Sequence, residues 1–493
     1  MTVDTIRITR LNAADIDPEG KFVLYWMTAA RRLSWNFALQ HAVDVAVELQ
    51  RPLVILEPLN CSYPWASDRL HKFVMQGMAD NAAEAFSHKV CYFPWVERSK
   101  GAGRGLLAAL AKSASAIIAD DYPCFFLPQI VDAAAAKVGC RMESVDSNGL
   151  YPLRATDRIF TTAFSFRIHL QKSLAPWLID LPRDSPLSHA GLIRNNSVTD
   201  LIPPNIRDRW PSVAKQELED PAQVLRELPI DHSVAAVAEC GGSVAARVRL
   251  HAFLEDGIGR YADDRRQPDA DPSSRLSPWL HFGHLSPHEV FAAVTRREDW
   301  TVSQLSDFRV TRGRREGWWN LSAGAESFLD ELITWREIGF NRCAHDRHYD
   351  QFHTLPDFAL QTLDRHRSDP RPWLYSLDEF CAAQTHDEIW NAAQRQLVQE
   401  GRMHNYLRML WGKKILEWTD RPETALEIMI DLNNRFALDG RDPNSYSGIF
   451  WVLGRYDRAW GPERPIFGKI RYMSSESTRR KLKLKEYLIR YSD

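Results

Sequence analysis

The stretch Phe22-Val23-Leu24-Tyr25-Trp26 is an unbroken run of apolar, β-forming residues, and it predicts a strand buried on both faces. A helical pattern follows over about 35–50, and Leu53-Val54-Ile55-Leu56 is a second run of the same kind. Further strands, with helices between them, are expected at 90–93, 116–119 and 142–145. Short strands that alternate with helices predict a parallel, doubly wound sheet, whose ligands bind beyond the carboxyl ends of the strands.

The second half of the chain has a different pattern. From about residue 225 onward strand patterns nearly vanish and helix-start signals become frequent, as in Ser286-Pro287-His288-Glu289. Between the halves, 182–224 is rich in Pro, Ser and Asn and has little periodicity. We therefore expect an α/β domain over 1–181, a linker over 182–224 and a large helical domain over 225–493.

The composition is that of an ordinary globular protein. Hydrophobic residues make up 44% and charged residues 26% of the 493 residues, which excludes wholesale disorder. Lys and Arg number 62 against 64 Asp and Glu, so a phosphate-binding surface must be local. The seven cysteines are dispersed without a C-x-x-C pair, which argues against a disulfide framework and fits a reducing compartment. No apolar run approaches the roughly 18 residues that a membrane span needs.

Three common site patterns fail in this chain. Gly101-Ala102-Gly103-Arg104-Gly105 has the spacing G-x-G-x-G and follows polar residues, so it predicts a flexible loop and not a dinucleotide site. The histidine-rich segment 345–353 lacks a helical i, i+4 histidine pair, which favours a polar loop over a metal cluster. A G-x-S-x-G nucleophile elbow is missing. No metal site is expected.

Two other segments keep a structural and a functional interpretation open. The clustered hydroxyls of 273–277 precede Pro278, which suits both a plain helix start with Ser277 as N-cap and a phosphate-binding site. Trp411 and Trp418 are seven residues apart, so on a helix they would share one face, about 10.5 Å apart along the axis. That spacing suits core packing and also a chain of redox-active indoles.

Two C-terminal segments carry unusual polarity. The stretch 432–460 mixes Asp, Asn and Arg with aromatic residues, which predicts a polar-walled cavity, although Asp-Gly and Asp-Pro pairs also mark turns. Residues 462–493 hold nine Lys and Arg against four acidic residues. A solvated tail and a strip that contacts a phosphate backbone both remain open for this segment.

Together these blocks resemble the photolyase and cryptochrome family, and within it the class II cyclobutane pyrimidine dimer photolyases. The stretches that carry the resemblance cover most of 250–475 and are Leu276-Ser277-Pro278-Trp279-Leu280-His281-Phe282-Gly283, 390–418, Leu438-Asp439-Gly440-Arg441-Asp442-Pro443-Asn444, Asp457-Arg458-Ala459-Trp460 and Phe467-Gly468-Lys469-Ile470-Arg471-Tyr472-Met473. The α/β half is similar to the antenna domain of that family at 22–26 and at Asn36-Phe37-Ala38-Leu39.

The resemblance implies a helical pocket that holds FAD without a covalent bond. The residues implied on its phosphate and ribitol side are Tyr261, Ser273, Ser274, Leu276 and Ser277. Those implied around the flavin are Arg336, Asn405, Arg408 and Asp439, the last two as an ion pair. Asn433 is implied to face flavin N5. The implied photoreduction chain consists of Trp390, Trp411 and Trp418.

The implied activity is the light-driven repair of cyclobutane pyrimidine dimers by electron transfer from excited, reduced FAD, and the implied partner is double-stranded DNA that contains such a dimer. In this scheme Trp335 and Trp451 clamp the flipped dimer and Glu331 forms a hydrogen bond with it. The residues implied near the DNA bubble are Asp457, Arg458 and Arg471.

The α/β half departs from the family pattern, with Thr28 and Arg31 where glutamines are usual and a different pattern over 151–170. An antenna chromophore of the deazaflavin or folate type is therefore less firmly implied than FAD. A cryptochrome-type blue-light receptor without repair activity is the alternative, and a helical nucleic-acid-binding module without a cofactor is a third interpretation. We expect a monomer without an obligate protein partner, located in the cytoplasm and associated with the nucleoid in a prokaryote.

Overall fold

The computed structural model of the chain describes residues 2–492. Its six-stranded sheet has the order β1-β6-β5-β2-β3-β4. The strands are β1 (Ile8–Arg10), β2 (Phe22–Trp26), β3 (Leu53–Leu59), β4 (Cys91–Val96), β5 (Ala114–Asp121) and β6 (Arg141–Asp146). Strands β2 to β6 pair in parallel, and β1 pairs antiparallel with β6 at the edge. The predicted doubly wound sheet is confirmed, and β1 is the strand that the sequence did not indicate.

Alternating side chains of β2 explain why helices cover both faces of this sheet. Phe22, Leu24 and Trp26 pack in one apolar cluster with the helices that follow β4 and β5. Val23 and Tyr25 point to the opposite face and pack against the helix that follows β2. Since every residue of β2 is buried, the strand needs an unbroken apolar sequence, as the first sequence pattern predicted.

The loop after β2 is held by a buried carboxylate at the end of β5. One oxygen of Asp120 accepts the backbone N–H groups of Thr28, Ala29 and Ala30 at 2.8, 2.8 and 2.9 Å, and the other accepts the hydroxyl of Tyr25 at 2.7 Å. Strands β2 and β5 flank the point at which the strand order reverses, where ligands of such sheets usually bind. The loop conformation at this edge therefore depends on Asp120.

The chain divides into two compact units. The first comprises Met1–Asp157, Leu174–Leu250 and Leu276–Val302, and the second comprises Arg158–Ser173, His251–Arg275 and Ser303–Asp493. Three short α-helices and one 3₁₀ turn lie within the segment 182–224, which the sequence indicated as a linker, and a fourth α-helix begins in it. The boundaries expected at 181 and 224 remain a prediction.

The α-helices that lie in or begin in the first unit are α1 (Phe37–Glu48), α2 (Asp68–Ser87), α3 (Leu106–Ala111), α4 (Leu127–Ala135), α6 (Val198–Leu201), α7 (Pro204–Arg209), α8 (Lys215–Glu219), α9 (Ala222–Glu227), α10 (Ser243–Ala252), α12 (Ser277–His281) and α13 (Pro287–Arg297). Short 3₁₀ turns occur at Thr5–Arg7, Ala175–Leu178, Pro186–Ser188 and Val302–Gln304.

The second unit is helical over the part of the chain that the structure describes. Its α-helices are α5 (Ala163–Ser173), α11 (Ile258–Asp264), α14 (Phe308–Thr311), α15 (Ala323–Leu329), α16 (Arg336–His345), α17 (Asp357–Arg365), α18 (Leu377–Cys381), α19 (Glu388–Glu400), α20 (Asn405–Glu417), α21 (Pro422–Phe436), α22 (Pro443–Val452), α23 (Ser475–Lys481) and α24 (Lys485–Arg490), with a 3₁₀ turn at Phe352–Thr354.

Two wide turns interrupt the helices of the second unit. Phe253–Gly257 and Asp330–Trp335 are π-helical, and each continues directly into the next α-helix, α11 or α16. Helices α11 and α15 pack tightly at Gly324 of α15, where a Cβ would lie only 1.9 Å from the carbonyl oxygen of Ile258 in α11. Such π turns in α-helices often occur at functional sites.

Candidate active site

The π turn Asp330–Trp335 presents two of the predicted site residues on one face. Glu331 and Trp335 are partly exposed, whereas Leu332, Ile333 and Thr334 between them are buried. The spacing of four residues is close to one turn, so the carboxylate and the indole stand on the same side of the helix. The structure thus places the Glu331 carboxylate and the Trp335 indole on one helix face.

Two arginines fix the acidic residues of this turn. Asp330 is buried and forms a bidentate ion pair with Arg167 of α5, with N–O distances of 2.6 and 2.9 Å. Glu331 pairs with Arg265, the C-cap residue of α11, whose guanidinium also lies 5.5 Å from the ring centre of Tyr261. Burial raises the pKa of the Glu331 carboxyl, and the Arg265 charge partly offsets that rise. Sequence reasoning missed both arginines, although Arg265 follows Tyr261 by one helical turn.

The hydroxyl cluster after α11 lies beside a partly buried acid, Asp271. Ser273 donates a hydrogen bond to Asp271, which is also paired with Arg275 at 2.7 Å and Arg402 at 3.0 Å. Burial would raise the pKa of Asp271, but the charges of Arg402 and Arg275 lower it to about 2. Ser273 and the adjacent Ser274 are only partly exposed, so they sit beside a fixed charge network.

The predicted N-cap at Ser277 is wrong. Leu276 is the N-cap residue of α12, and Ser277 is the first residue of that helix, with Pro278 after it. Leu276 is buried and Ser277 is exposed. Both belong to the first compact unit, whereas Tyr261 and Ser273 belong to the second.

Helix α20 carries two of the residues expected around a flavin. Asn405 and Arg408 lie three residues apart, and the Arg408 guanidinium pairs with Asp439 at 3.2 and 3.5 Å, which is the expected ion pair. Both partners keep part of their surface exposed. Arg336, at the start of α16, is buried with its guanidinium 4.3 Å from the ring centre of Phe340.

Asn433 is held in one orientation at the end of α21. Its Nδ2 donates to Ser445 Oγ at 2.6 Å and to Asn434 Oδ1 at 3.4 Å. Among residues 2–492, none donates a hydrogen bond to Asn433 Oδ1, so this oxygen of a largely buried residue is available as an acceptor. The turn that follows is held by Arg441, whose N–H and guanidinium both bind Asn434 at 2.8 Å.

These groups fit a flavin dinucleotide. A flavin ring offers N–H donors and carbonyl acceptors, and the Asn433 oxygen and the Arg408 guanidinium match one of each kind. The hydroxyls of Ser273 and Ser274 suit phosphate or ribityl oxygens. The residues that could hold such a cofactor are therefore present, spread over the segment after α11 and over α20 and α21.

Three buried indoles form a row. Trp390 lies between the other two, with its ring centre 6.5 Å from that of Trp411 and 6.0 Å from that of Trp418. The rings of Trp390 and Trp411 are nearly parallel, at 6°. Hydrogen bonds orient two of them, from Trp390 Nε1 to the Trp411 carbonyl at 3.0 Å and from Trp411 Nε1 to Gln394 Oε1 at 2.9 Å. The close spacing suits stepwise electron transfer as well as packing.

A fourth group of predicted residues lies beyond α22. Asp457 accepts two hydrogen bonds from the Arg471 guanidinium at 2.8 and 3.2 Å and one from Trp460 Nε1 at 3.1 Å. The Arg471 guanidinium carbon lies 4.0 Å from the ring centre of Trp460 and 5.4 Å from that of Trp451. Burial would raise the pKa of Asp457, but its hydrogen bonds, led by that from Arg471, lower it. Arg458 is exposed, 4.7 Å from the Trp460 ring.

The C-terminal basic segment is folded, with α23 and α24. Arg479 pairs with Glu388 at 2.6 Å and Arg480 with Glu476 at 3.2 Å, so part of its charge is internally balanced. In the α/β half, Arg31 pairs with the buried Glu57 at 2.9 Å, and its guanidinium therefore serves the core of the sheet. The prediction about an antenna chromophore stays a prediction.

Two kinds of feature are absent from the part of the chain that the structure describes. Among residues 2–492, no helix has the length and the apolar character that crossing a bilayer requires. The same residues contain no group of three or more His, Cys, Asp or Glu side chains placed to hold a metal ion.

Comparison with known proteins gives a consistent result. No family sequence model matches the chain. The chain is 32% identical over 485 residues to a deoxyribodipyrimidine photo-lyase of Methanothermobacter thermautotrophicus, covering 98% of this chain and 97% of that one. Enzymes of the same name from Potorous tridactylus and Arabidopsis thaliana are each 31% identical, covering 96% and 94% of this chain and 81% and 88% of theirs. A crystal structure of a class III photolyase from Agrobacterium tumefaciens shares the fold, with a TM-score of 0.65, 18% identity and coverage of 97% of this chain and 87% of that one.

Proposed function

Because the chain belongs to the deoxyribodipyrimidine photo-lyase family, we propose that it repairs cyclobutane pyrimidine dimers in DNA under light, as a class II enzyme that uses FAD. The observation that supports the repair function is the partly exposed face that Glu331 and Trp335 share on the π turn. A receptor without repair activity has no need of an acid beside a stacking surface.

The lesion would be bound outside the duplex. A dimer is cheap to extrude because its pairing and stacking are already impaired. The Trp335 and Trp451 indoles would replace that stacking, which is worth about 1–3 kcal/mol per base. Arg471, held by Asp457 and stacked on Trp460, would support the gap left in the duplex from a fixed position.

Glu331 would contact a carbonyl group of the dimer. In the ligand-free chain it is paired with Arg265, so the arriving base must compete with that guanidinium. Once Arg265 is displaced toward a phosphate, burial favours the neutral carboxyl, which donates a hydrogen bond and stabilises negative charge that develops on the base.

FAD, when bound and reduced, would supply the light-excited electron. Asn433 Oδ1 would accept a hydrogen bond from an N–H of the ring, because Ser445 already occupies its amide group. Arg408 and Asp439 would orient the polar edge of the ring. The row of Trp411, Trp390 and Trp418 would deliver electrons through the protein interior by hops between ring centres 6.0 to 6.5 Å apart.

Illumination of the reduced protein with a dimer-containing oligonucleotide tests this proposal. We expect restored pyrimidines in the wild-type reaction, and dimers that persist with Trp335→Ala although flavin absorbance is retained. Trp373→Ala removes an indole that is 50% exposed and belongs to none of the groups above, so it serves as the matched control. If dimers persist with the wild-type protein at full flavin occupancy, the repair proposal is wrong and the photoreceptor function takes its place.

A further inference from the structure

Lys413 is a fully buried amine to which the proposed mechanism assigns no role. It lies on α20, and its side chain reaches the C-terminal end of α22, where Nζ donates a hydrogen bond to the Val452 carbonyl. The close approach of the two helices depends on Gly412, because a Cβ there would lie 2.6 Å from Val452 Cγ2. Within residues 2–492, no carboxylate lies within ion-pair distance of Nζ.

The amine lies against the predicted dimer clamp. Lys413 Nζ is 5.2 Å from the ring centre of Trp451, and the Arg471 guanidinium is 5.4 Å from the same ring centre. One indole thus contacts two cationic groups. The charged side chains that act on the Lys413 amine are Asp457, which favours its protonated form, and Arg471, which opposes it.

The neighbouring Lys414 shows how an ordinary lysine is accommodated here. Its ammonium lies 5.3 Å from the ring centre of Trp418 and is paired with Glu417 at 2.7 Å. Two adjacent lysines therefore each contact an indole, and only Lys414 has a carboxylate partner. Burial of an ammonium group without a carboxylate partner is costly, so burial destabilises the protonated form of Lys413.

We propose that Lys413 is a positioning residue for Trp451 and that it takes up a proton when DNA binds beside Arg471. This inference rests on the proposed function, since it needs a nucleic-acid backbone at this surface. The protonated amine holds the Val452 carbonyl and the Trp451 ring, and a phosphate bound by Arg471 relieves the repulsion between the two cations.

Burial and the charge of Arg471 oppose protonation of Lys413 in the free protein. A DNA phosphate bound to Arg471 would remove the effect of that charge. Burial lowers the pKa of Lys413 to about 7, Asp457 counteracts this fall, and Arg471 adds to it. Near neutral pH the free protein therefore contains both forms of the amine. A phosphate that neutralises Arg471 raises the pKa of Lys413, and by linkage the DNA affinity falls as pH rises from the pKa in the free protein toward the higher pKa in the complex.

Titration calorimetry with a dimer-containing duplex, in two buffers of different ionisation enthalpy, measures the proton uptake directly. We expect the wild-type protein to take up about half a proton more than Lys413→Gln at pH 7, and its Kd to rise about fivefold more than that of Lys413→Gln between pH 7 and pH 8. Gln keeps a donor for the Val452 carbonyl but does not titrate. Lys413→Met is a second variant of similar length, and Lys414→Met is the matched control that should behave as the wild type.

Equal proton uptake by the wild-type protein, Lys413→Gln and Lys413→Met would overturn this role of Lys413. If the wild-type protein fails to bind the duplex at any pH, the proposed function fails as well, and the inference falls with it. Duplex binding and repair without a Lys413-dependent proton would overturn the inference alone.

Discussion

The buried ion pair between Arg167 and Asp330 should control the π turn that carries Glu331 and Trp335. In Arg167→Met the Asp330 carboxylate stays buried, and the remaining cation is Arg315, 3.9 Å away with a half-exposed side chain. Loss of one partner of a buried ion pair costs about 3–5 kcal/mol. We expect the free energy of unfolding of Arg167→Met to fall by that amount.

Urea unfolding followed by tryptophan fluorescence measures this loss, since 12 of the 17 tryptophans lie after residue 200. Arg480→Met removes a pair whose side chains are 72% and 81% exposed, and it should cost less than about 1 kcal/mol. The double variant Arg167→Met with Asp330→Leu removes both buried charges and should recover most of the stability. If Arg167→Met is as stable as Arg480→Met, the pair does not anchor the turn.

Three further predictions concern the cofactor and the chemistry. Trp390→Phe should slow flavin photoreduction, because the indole between Trp411 and Trp418 is lost, and it should leave repair by chemically reduced protein unchanged. An unchanged rate of photoreduction would show that the three indoles serve only core packing. Glu331→Gln should remove a pH dependence of repair. The wild-type repair yield should fall as pH rises through the raised pKa of Glu331, whereas the amide of Gln donates a hydrogen bond at every pH. Identical pH profiles of the two proteins would contradict this role of Glu331. Asp439→Asn should weaken FAD binding about fivefold, because loss of a partly exposed ion pair costs about 1 kcal/mol. Equilibrium dialysis measures the FAD affinity. An unchanged affinity would place the Arg408–Asp439 pair away from the flavin.

The sheet was predictable from sequence because its central strands are buried on both faces. The apolar runs at 22–26 and 53–56 have no other stable location than the centre of a covered sheet. Strand β1 was missed because Ile8-Thr9-Arg10 is a short, partly exposed edge, with no apolar run to mark it. Local pattern therefore predicts the centre of the sheet better than its edge.

The residue types of the site were predictable, but their partners were not. Residue spacing placed Trp411 and Trp418 on one helix face, but only the family resemblance indicated Trp390, whose ring lies between theirs from another helix. The partner of Asp330 lies 163 residues away in the chain. The π turn was also missed, because a change from i+4 to i+5 hydrogen bonding leaves no mark in residue composition.

The π turn at Asp330–Trp335 also restricts how this helix can change in evolution. A π turn accommodates one residue more than the α-helical turn it replaces, and one residue corresponds to about 100° of rotation in an α-helix. A regular α-helical turn can therefore absorb the deletion of a single residue here, whereas insertion of a further residue would turn α16 relative to α15 by about that angle. Gly339 on α16 lies where a Cβ would be only 2.6 Å from the Pro443 carbonyl, and Gly324 on α15 is just as closely fitted to Ile258, so neither helix can rotate to compensate. Homologous chains should therefore tolerate loss of the extra residue of this turn more readily than insertion of another.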